Sequence, residues 1–393
     1  MKKKLLFVNI SLVNGGAEKS LVNLLNELPS NKYDIDLLLF RNEGMFINQV
    51  PSNVNFIEPP TALVKLYKPI NKAGIYSIIK LIGTFLSKIK TTNNYTLRAY
   101  RWKHFYKPFI PQIHKKYDVA IAYVVGEVTY FIDDLVKAKR KIAWVHTDYK
   151  NAKCDPSCDK ECYKNMDAIV TISEKCSDIL KATFPEFNNK IYNIPNITSS
   201  TIIRKKSKEY YPKEYNNNRF IILSIGRLVP LKGFDLAIKV AALLKSENIL
   251  FSWYLVGNGE CKNSLNNLIN KNNISDVFFM LGPKDNPYPY IKNADLLVQL
   301  SKYEGKSVVL DESKILGTPI VVTNYETVYD QIIDTKEGII VERNEKKIAN
   351  IIKQLILNSS KRLSIKSYLE SREYGNQHEV QKYISIIEGS DNE

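Results

Sequence analysis

Short apolar runs alternate along the chain with segments in which apolar side chains recur every three or four positions. The first pattern predicts buried strands of a parallel sheet, and the second predicts amphipathic helices laid over it. In the first half, strands are predicted near 5–10, 35–40, 119–123, 141–146 and 168–172. A helix over about 17–27 presents Leu21, Leu24, Leu25 and Leu28 on one face. Around 199–218 the pattern dissolves into Ser, Lys, Asn and Tyr, the composition of a linker. It then restarts with strands near 220–225, 251–256, 277–280, 296–300 and 319–323, and helices near 234–245, 307–316 and from 346 onward. The expected architecture is α/β: two Rossmann-like domains facing across a cleft. They would occupy 1–198 and 219–370, with 199–218 as linker and a C-terminal helical stretch 371–393 packing back toward the N-terminal domain. Open sheets of this kind bind ligands beyond the carboxyl ends of their strands.

The length of 393 residues agrees with two domains, and 24 Tyr, 15 Phe and 3 Trp supply core material that rules out general disorder. Five cysteines, an odd number in a long chain, point to a reducing compartment rather than a disulfide scaffold. The basic start Met1-Lys2-Lys3-Lys4 superficially imitates a signal peptide, but Asn9 and Ser11 interrupt the apolar run and Gly15-Gly16 leads into a helix. The most apolar later segment, 75–86, is short and broken by Lys80. A cytoplasmic protein is expected.

Charge changes this picture. The formal net charge is +15, which predicts an anionic partner. Pro59–Tyr117 holds twelve Lys or Arg and no Asp or Glu, together with ten aromatic residues. Such an insertion suits peripheral attachment to an anionic membrane surface, and equally a basic elaboration folded over its own domain. No nucleic-acid-binding motif accompanies it.

Candidate chemistry gathers at predicted strand ends. Glu304-Gly305-Lys306-Ser307 follows one strand and leads, through Asp311, to Glu312 in the next helix. Free amides at a helix start attract anions, and carboxylates accept hydrogen bonds from sugar hydroxyls. Gly226-Arg227 and Lys232-Gly233 follow another strand, where two cations five residues apart could straddle a diphosphate. Val256-Gly257-Asn258-Gly259 ends a third strand in a Gly-rich turn. Neither half has the third glycine of a dinucleotide fingerprint, which speaks against a dehydrogenase.

Together with Gly15-Gly16-Ala17-Glu18-Lys19 and Gly317-Thr318-Pro319, this ordered set resembles glycosyltransferase family four over nearly the whole chain. The resemblance implies the GT-B fold, a retaining mechanism, and bacterial capsule, exopolysaccharide or lipopolysaccharide synthesis. It further implies that Arg227 and Lys232 hold the donor diphosphate. Glu304, with the amides of Gly305, Lys306 and Ser307, would hold the transferred sugar and the distal phosphate. Glu312 would take the ribose hydroxyls, and the turn containing Gly282 and Pro283 would pack along the base. Gly15 and Gly16, with Gly226 and Gly257, would line the donor region, and His146 matches a family histidine beside the reacting carbon. Many members carry Glu-Gly-Phe-Gly where this chain has Glu304-Gly305-Lys306-Ser307, so Lys306 either adds charge near the phosphate or points to solvent.

Two further patterns read as structural. Asp34-Ile35-Asp36 imitates a metal-binding Asp-x-Asp but opens an early strand, and Cys154, Cys158 and Cys162 lack zinc spacing and suit one helical face. The expected cofactor set is therefore empty: a UDP- or GDP-sugar donor, no metal, and a lipid-linked or oligosaccharide acceptor at the inner face of the cell membrane. The rival expectation is a non-catalytic membrane- or partner-binding protein on a degenerate glycosyltransferase scaffold.

Overall fold

Seven parallel strands form the first sheet: β1 (Lys3–Asn9), β2 (Tyr33–Leu39), β3 (Val54–Ile57), β4 (Ile113–Ala122), β5 (Val136–Val145), β6 (Ala168–Thr171) and β7 (Ile191–Asn193), in spatial order β3-β2-β1-β4-β5-β6-β7. Leu5, Leu6, Phe7 and Val8 of β1 are all fully buried. Leu5 and Phe7 enter one hydrophobic cluster, and Leu6 and Val8 another. Helices on both faces explain why this strand reads as an unbroken apolar run. The second sheet has six parallel strands: β8 (Phe220–Ile225), β9 (Phe251–Val256), β10 (Phe278–Gly282), β11 (Leu296–Gln299), β12 (Ile320–Thr323) and β13 (Ile339–Val341), in order β10-β9-β8-β11-β12-β13.

This computed structural model describes residues 2–13, 15–216, 218–304 and 306–390. The chain separates into two units, 1–197 with 377–393, and 198–376. The C-terminal helix Val380–Glu388 completes the first unit, where Tyr383 stacks on Trp144 with ring centroids 5.0 Å apart and donates its hydroxyl to the Pro195 carbonyl at 3.0 Å.

The segment 199–218, expected as a linker, is instead folded into the second unit. Ser200–Lys206 is a helix, and Ile203 and Tyr215 are buried with Ile221, Tyr254 and Tyr290. Two apolar anchors in a polar stretch suffice to dock it.

The basic insertion lies between β3 and β4 and is largely helical: Thr61–Tyr67, Tyr76–Lys90 and Asn94–Arg101, with a π turn at Trp102–Tyr106. Leu63, Leu66, Trp102 and Tyr106 pack into the first unit's core beside Phe40 and Phe131. Asp36 is buried and taken by Lys115 at 2.6 Å and the Tyr117 hydroxyl at 2.7 Å, so its carboxylate serves the fold. Cys158 and Cys162 share a face of the helix Pro156–Lys164, and Cys154 precedes it; all three pack against apolar neighbours. Burial pushes the Cys154 thiol up to about 12 and the Cys158 thiol to about 11, so both stay protonated.

Candidate active site

In the second sheet the strand order reverses at β8, which has β9 on one side and β11 on the other. That reversal opens a crevice outside the carboxyl ends of β8 and β11, the topological switch point of such sheets. The loop after β8 is held against the β9 loop by backbone bonds from Gly226 N to Val256 O (3.0 Å), Leu228 N to Asn258 O (2.9 Å) and Cys261 N to Leu228 O (2.9 Å). Glycine is required for this approach. A Cβ on Gly257 would stand 1.9 Å from the Gly226 carbonyl oxygen, and its φ of +155° is itself unfavourable to other residues.

Gly233 plays the same part on the other side. Its φ is +69°, and a Cβ there would meet the Leu300 carbonyl oxygen at 2.0 Å. With the bond from Lys302 N to Leu231 O at 2.8 Å, this presses the β8 loop onto the β11 loop.

The consequence is an ion pair across the switch point. Lys232 Nζ lies 2.5 Å from Glu304 Oε1, which also accepts the Ser301 hydroxyl at 2.6 Å. The Thr327 hydroxyl donates to the Glu304 carbonyl at 2.6 Å, and the Thr323 hydroxyl donates to the Ser301 carbonyl at 2.6 Å. Arg227 is exposed and has no carboxylate partner among the described residues. One cation is thus neutralised and the other is available.

Beyond Glu304 the helix Val308–Leu316 begins. Gly305 lies outside the described residues. The Ser307 amide, expected to face a phosphate, donates instead to Gln331 Oε1 at 2.7 Å, and Gln331 Nε2 returns a bond to the Ser307 carbonyl at 3.0 Å. Its hydroxyl donates to Gln299 Oε1 at 2.6 Å, so no side chain caps the helix. The first-turn amides, beginning at Val308, are left open to an anion. The Ser307 amide is thus engaged within its own unit rather than free.

Lys306 is largely exposed and 3.4 Å from Asp311, so it does not point to solvent unpartnered. Lys314 donates to the Gln331 carbonyl at 2.6 Å, and its ammonium stands 3.7 Å from Glu337. A small cavity of about 160 Å³ lies beside this group, with Lys306, Asp311, Lys314 and Tyr374 in its wall. Glu312 is nearly sealed from solvent, at 1% exposure. Gly282, with φ +72°, gives its carbonyl to Gly257 N at 3.0 Å, and Pro283 follows in the loop after β10.

Gln299, Ser301, Thr327 and Gln331 were absent from the sequence expectations. Ser301-x-x-Glu304 is a short-range signal for a hydroxyl reaching a carboxylate. Nothing in sequence announces Gln331, 24 residues beyond the amide it binds.

The first unit has its own reversal, with β1 between β2 and β4. Gly15 caps the helix Gly16–Glu27 in extended conformation, without a side-chain cap. Glu18 covers that helix start so closely that a Cβ on Gly15 would lie 2.1 Å from its Oε2. A carboxylate there satisfies the helix dipole internally.

His146 follows β5, with its ring centroid 4.5 Å from that of Tyr123. The Tyr123 hydroxyl is 3.0 Å from Ser20 Oγ, which donates to Asn196 Oδ1 at 2.9 Å. Neither imidazole nitrogen makes a hydrogen bond of normal geometry. Burial drives the pKa down to about 3, with the nearby Asn196 amide offsetting part of the shift, so the ring is neutral at pH 7.

Residues 206–372 match the family described as Glycosyl transferases group 1. The second unit is a group 1 glycosyl transferase domain. Across nearly the whole chain, an uncharacterized glycosyltransferase of Haemophilus influenzae is 25% identical over 391 residues, covering 95% of this chain and 96% of that protein. The lipopolysaccharide core biosynthesis glycosyltransferase LpsE of Rhizobium meliloti is 27% identical over 207 residues, 51% of this chain and 57% of its own. Six further relatives are each covered over 28–49% of their own length. Among solved structures, Anabaena HepE in complex with UDP and glucose superposes with a TM-score of 0.64 at 15% identity, covering 99% of this chain and all of the other. At that identity the likeness is one of fold, and the transferase domain and the unit that precedes it share the GT-B class.

Proposed function

We propose that the protein is a retaining, metal-independent glycosyltransferase. It moves a hexosyl-type sugar from a UDP- or GDP-sugar to a lipid-linked or growing glycan during synthesis of a bacterial surface polysaccharide. The observation that carries this reading is the Lys232–Glu304 pair beside an uncapped helix head, with Arg227 unneutralised on the same loop. The UDP and glucose held by HepE favour UDP as the nucleotide, and the role of LpsE favours a surface-glycan acceptor.

In this reading Arg227 and Lys232 take the diphosphate. Glu304, released from Lys232 when the phosphates arrive, turns to the sugar hydroxyls. As the bond from the anomeric carbon to the phosphate oxygen breaks, its electron pair stays on the departing diphosphate. Arg227, Lys232 and the helix-head amides stabilise that charge. The acceptor hydroxyl oxygen bonds to the anomeric carbon on the same face, and its proton passes to a diphosphate oxygen. Glu312 holds the ribose, Gly282 and Pro283 border the base, and His146 keeps the role that the family resemblance implies, as a neutral ring. The enzyme works in the cytoplasm, peripheral to the inner face of the membrane where the acceptor lies.

Donor turnover with membrane extracts or lipid-linked glycans is the direct test. Transfer undiminished in the Arg227→Ala, Lys232→Ala double variant overturns the phosphate assignment. Collapse of transfer in chelator overturns the metal-free mechanism.

A further inference from the structure

The helix Tyr76–Lys90 in the basic insertion leaves most of its large apolar side chains outside the core. Toward its own unit it turns Tyr76 and Ile79, which pack on the core, together with the buried Gly83 and Ser87, and a Cβ on Gly83 would come within 2.9 Å of the Phe105 ring. Six other large side chains face solvent. Ile78, Leu81, Ile82, Phe85, Leu86 and Ile89 are 41–69% exposed. At about 100° per residue they fill an uninterrupted apolar arc of roughly 140°. Lys88 and Lys90, both exposed, lie on its two borders. Isolated exposed apolar residues are ordinary on proteins, whereas six on one helical face mark a contact surface.

Charge selects the occupant. Arg98, Lys107 and Lys115 are neutralised by Glu127, Asp134 and Asp36. The other nine cations of Pro59–Tyr117 have no carboxylate partner among the described residues. Two copies of this surface would repel each other. A protein interface also needs hydrogen-bonding groups at about one per 100–200 Å², and the arc offers no polar side chain. An amphipathic helix with a wide apolar face and basic borders instead matches the boundary between headgroups and acyl chains.

We propose that Tyr76–Lys90 lies in the plane of an anionic lipid leaflet with this apolar face inserted. The inference rests on the peripheral-membrane reading above and deepens it, since attachment then has a hydrophobic component that salt does not screen.

Flotation of the full chain with phosphatidylcholine vesicles, with and without phosphatidylglycerol, tests it. The variants are Ile78→Ser/Ile82→Ser/Phe85→Ser/Ile89→Ser and Lys88→Glu/Lys90→Glu. The altered side chains face solvent, so both variants should melt like the parent. The parent should float with anionic vesicles and remain partly bound in high salt. The serine variant should bind at least about tenfold more weakly at every salt concentration, with transfer to a detergent-solubilised acceptor unchanged. The glutamate variant should lose chiefly the salt-sensitive part. Parent-like flotation of the serine variant overturns the role of this helix and leaves peripheral docking standing. Failure of the parent to bind any vesicle overturns both. A parent dimer in lipid-free gel filtration that the serine variant dissolves shows that the face covers itself, and also overturns the proposal.

Discussion

The two sheets share a strand order in which the first strand of each unit sits beside its second and fourth, yet their switch points are electrostatic opposites. In the first unit the helix start after β1 is covered by its own carboxylate, Glu18, and a neutral imidazole lies against Tyr123. In the second, Lys232 is held opposite Glu304, Arg227 has no carboxylate partner among the described residues, and the helix head after β11 has no side-chain cap. One topology thus produces a self-satisfied site and a site that awaits negative charge. The difference lies in a handful of loop residues, not in the sheets.

The largest expected effect attacks the unsatisfied site. Arg227→Ala with Lys232→Ala should lower kcat/KM by about 100-fold or more, as loss of transition-state charge stabilisation does elsewhere. Arg227 is exposed, so Arg227→Ala alone should leave thermal stability nearly unchanged in calorimetry, whereas loss of Lys232 leaves the largely buried Glu304 unpaired and should lower it. Next comes the loop packing that positions the pair. Gly257→Ala puts a methyl group into the Gly226 carbonyl and should cost about 2–4 kcal/mol, seen as a lowered melting temperature of the transferase domain.

Smaller still is the acid sensitivity of the first unit. His146 has a folded pKa of about 3, below its ordinary value of 6.5, so the unfolded chain binds the proton first as pH falls. The stability this residue contributes is complete above pH 6.5 and is lost progressively toward pH 3. About 2 kcal/mol should be gone by pH 5, and His146→Gln should flatten that part of the profile in denaturant titrations. The smallest effect is Glu18→Gln, expected to cost about 0.3–1 kcal/mol. If the variant gains phosphate binding that the parent lacks, the carboxylate is what keeps this helix start closed.

Sequence patterning located the strands it could see. Phe220–Ile225 and Phe251–Val256 coincide with β8 and β9 because both are buried on two faces. It overlooked β3, β7 and β13, which have three or four residues each and occupy sheet edges, too short to establish a pattern. At the site, Lys232 and Glu304 were legible as a cation and a carboxylate following predicted strands, and the structure brings the two together. The bond from the Ser307 amide to Gln331 was not legible, because that partner comes from a distant loop. The helix Tyr76–Lys90 was not read from the sequence, which showed only a short apolar segment inside a basic insertion. Contacts such as Gly83 on Phe105 reveal which of its faces turns inward.

The Val380–Glu388 helix has a consequence for synthesis. Tyr383, Ile386 and Ile387 are almost wholly buried in the first unit, where each such side chain contributes about 1.5–3 kcal/mol. A ribosome must therefore make all of 198–376 before the domain it began with can close over Trp144. The transferase domain is contiguous and can finish folding first, so nascent chains should pass through a stage in which the later-made half is mature while the earlier one still offers an open apolar seam to chaperones.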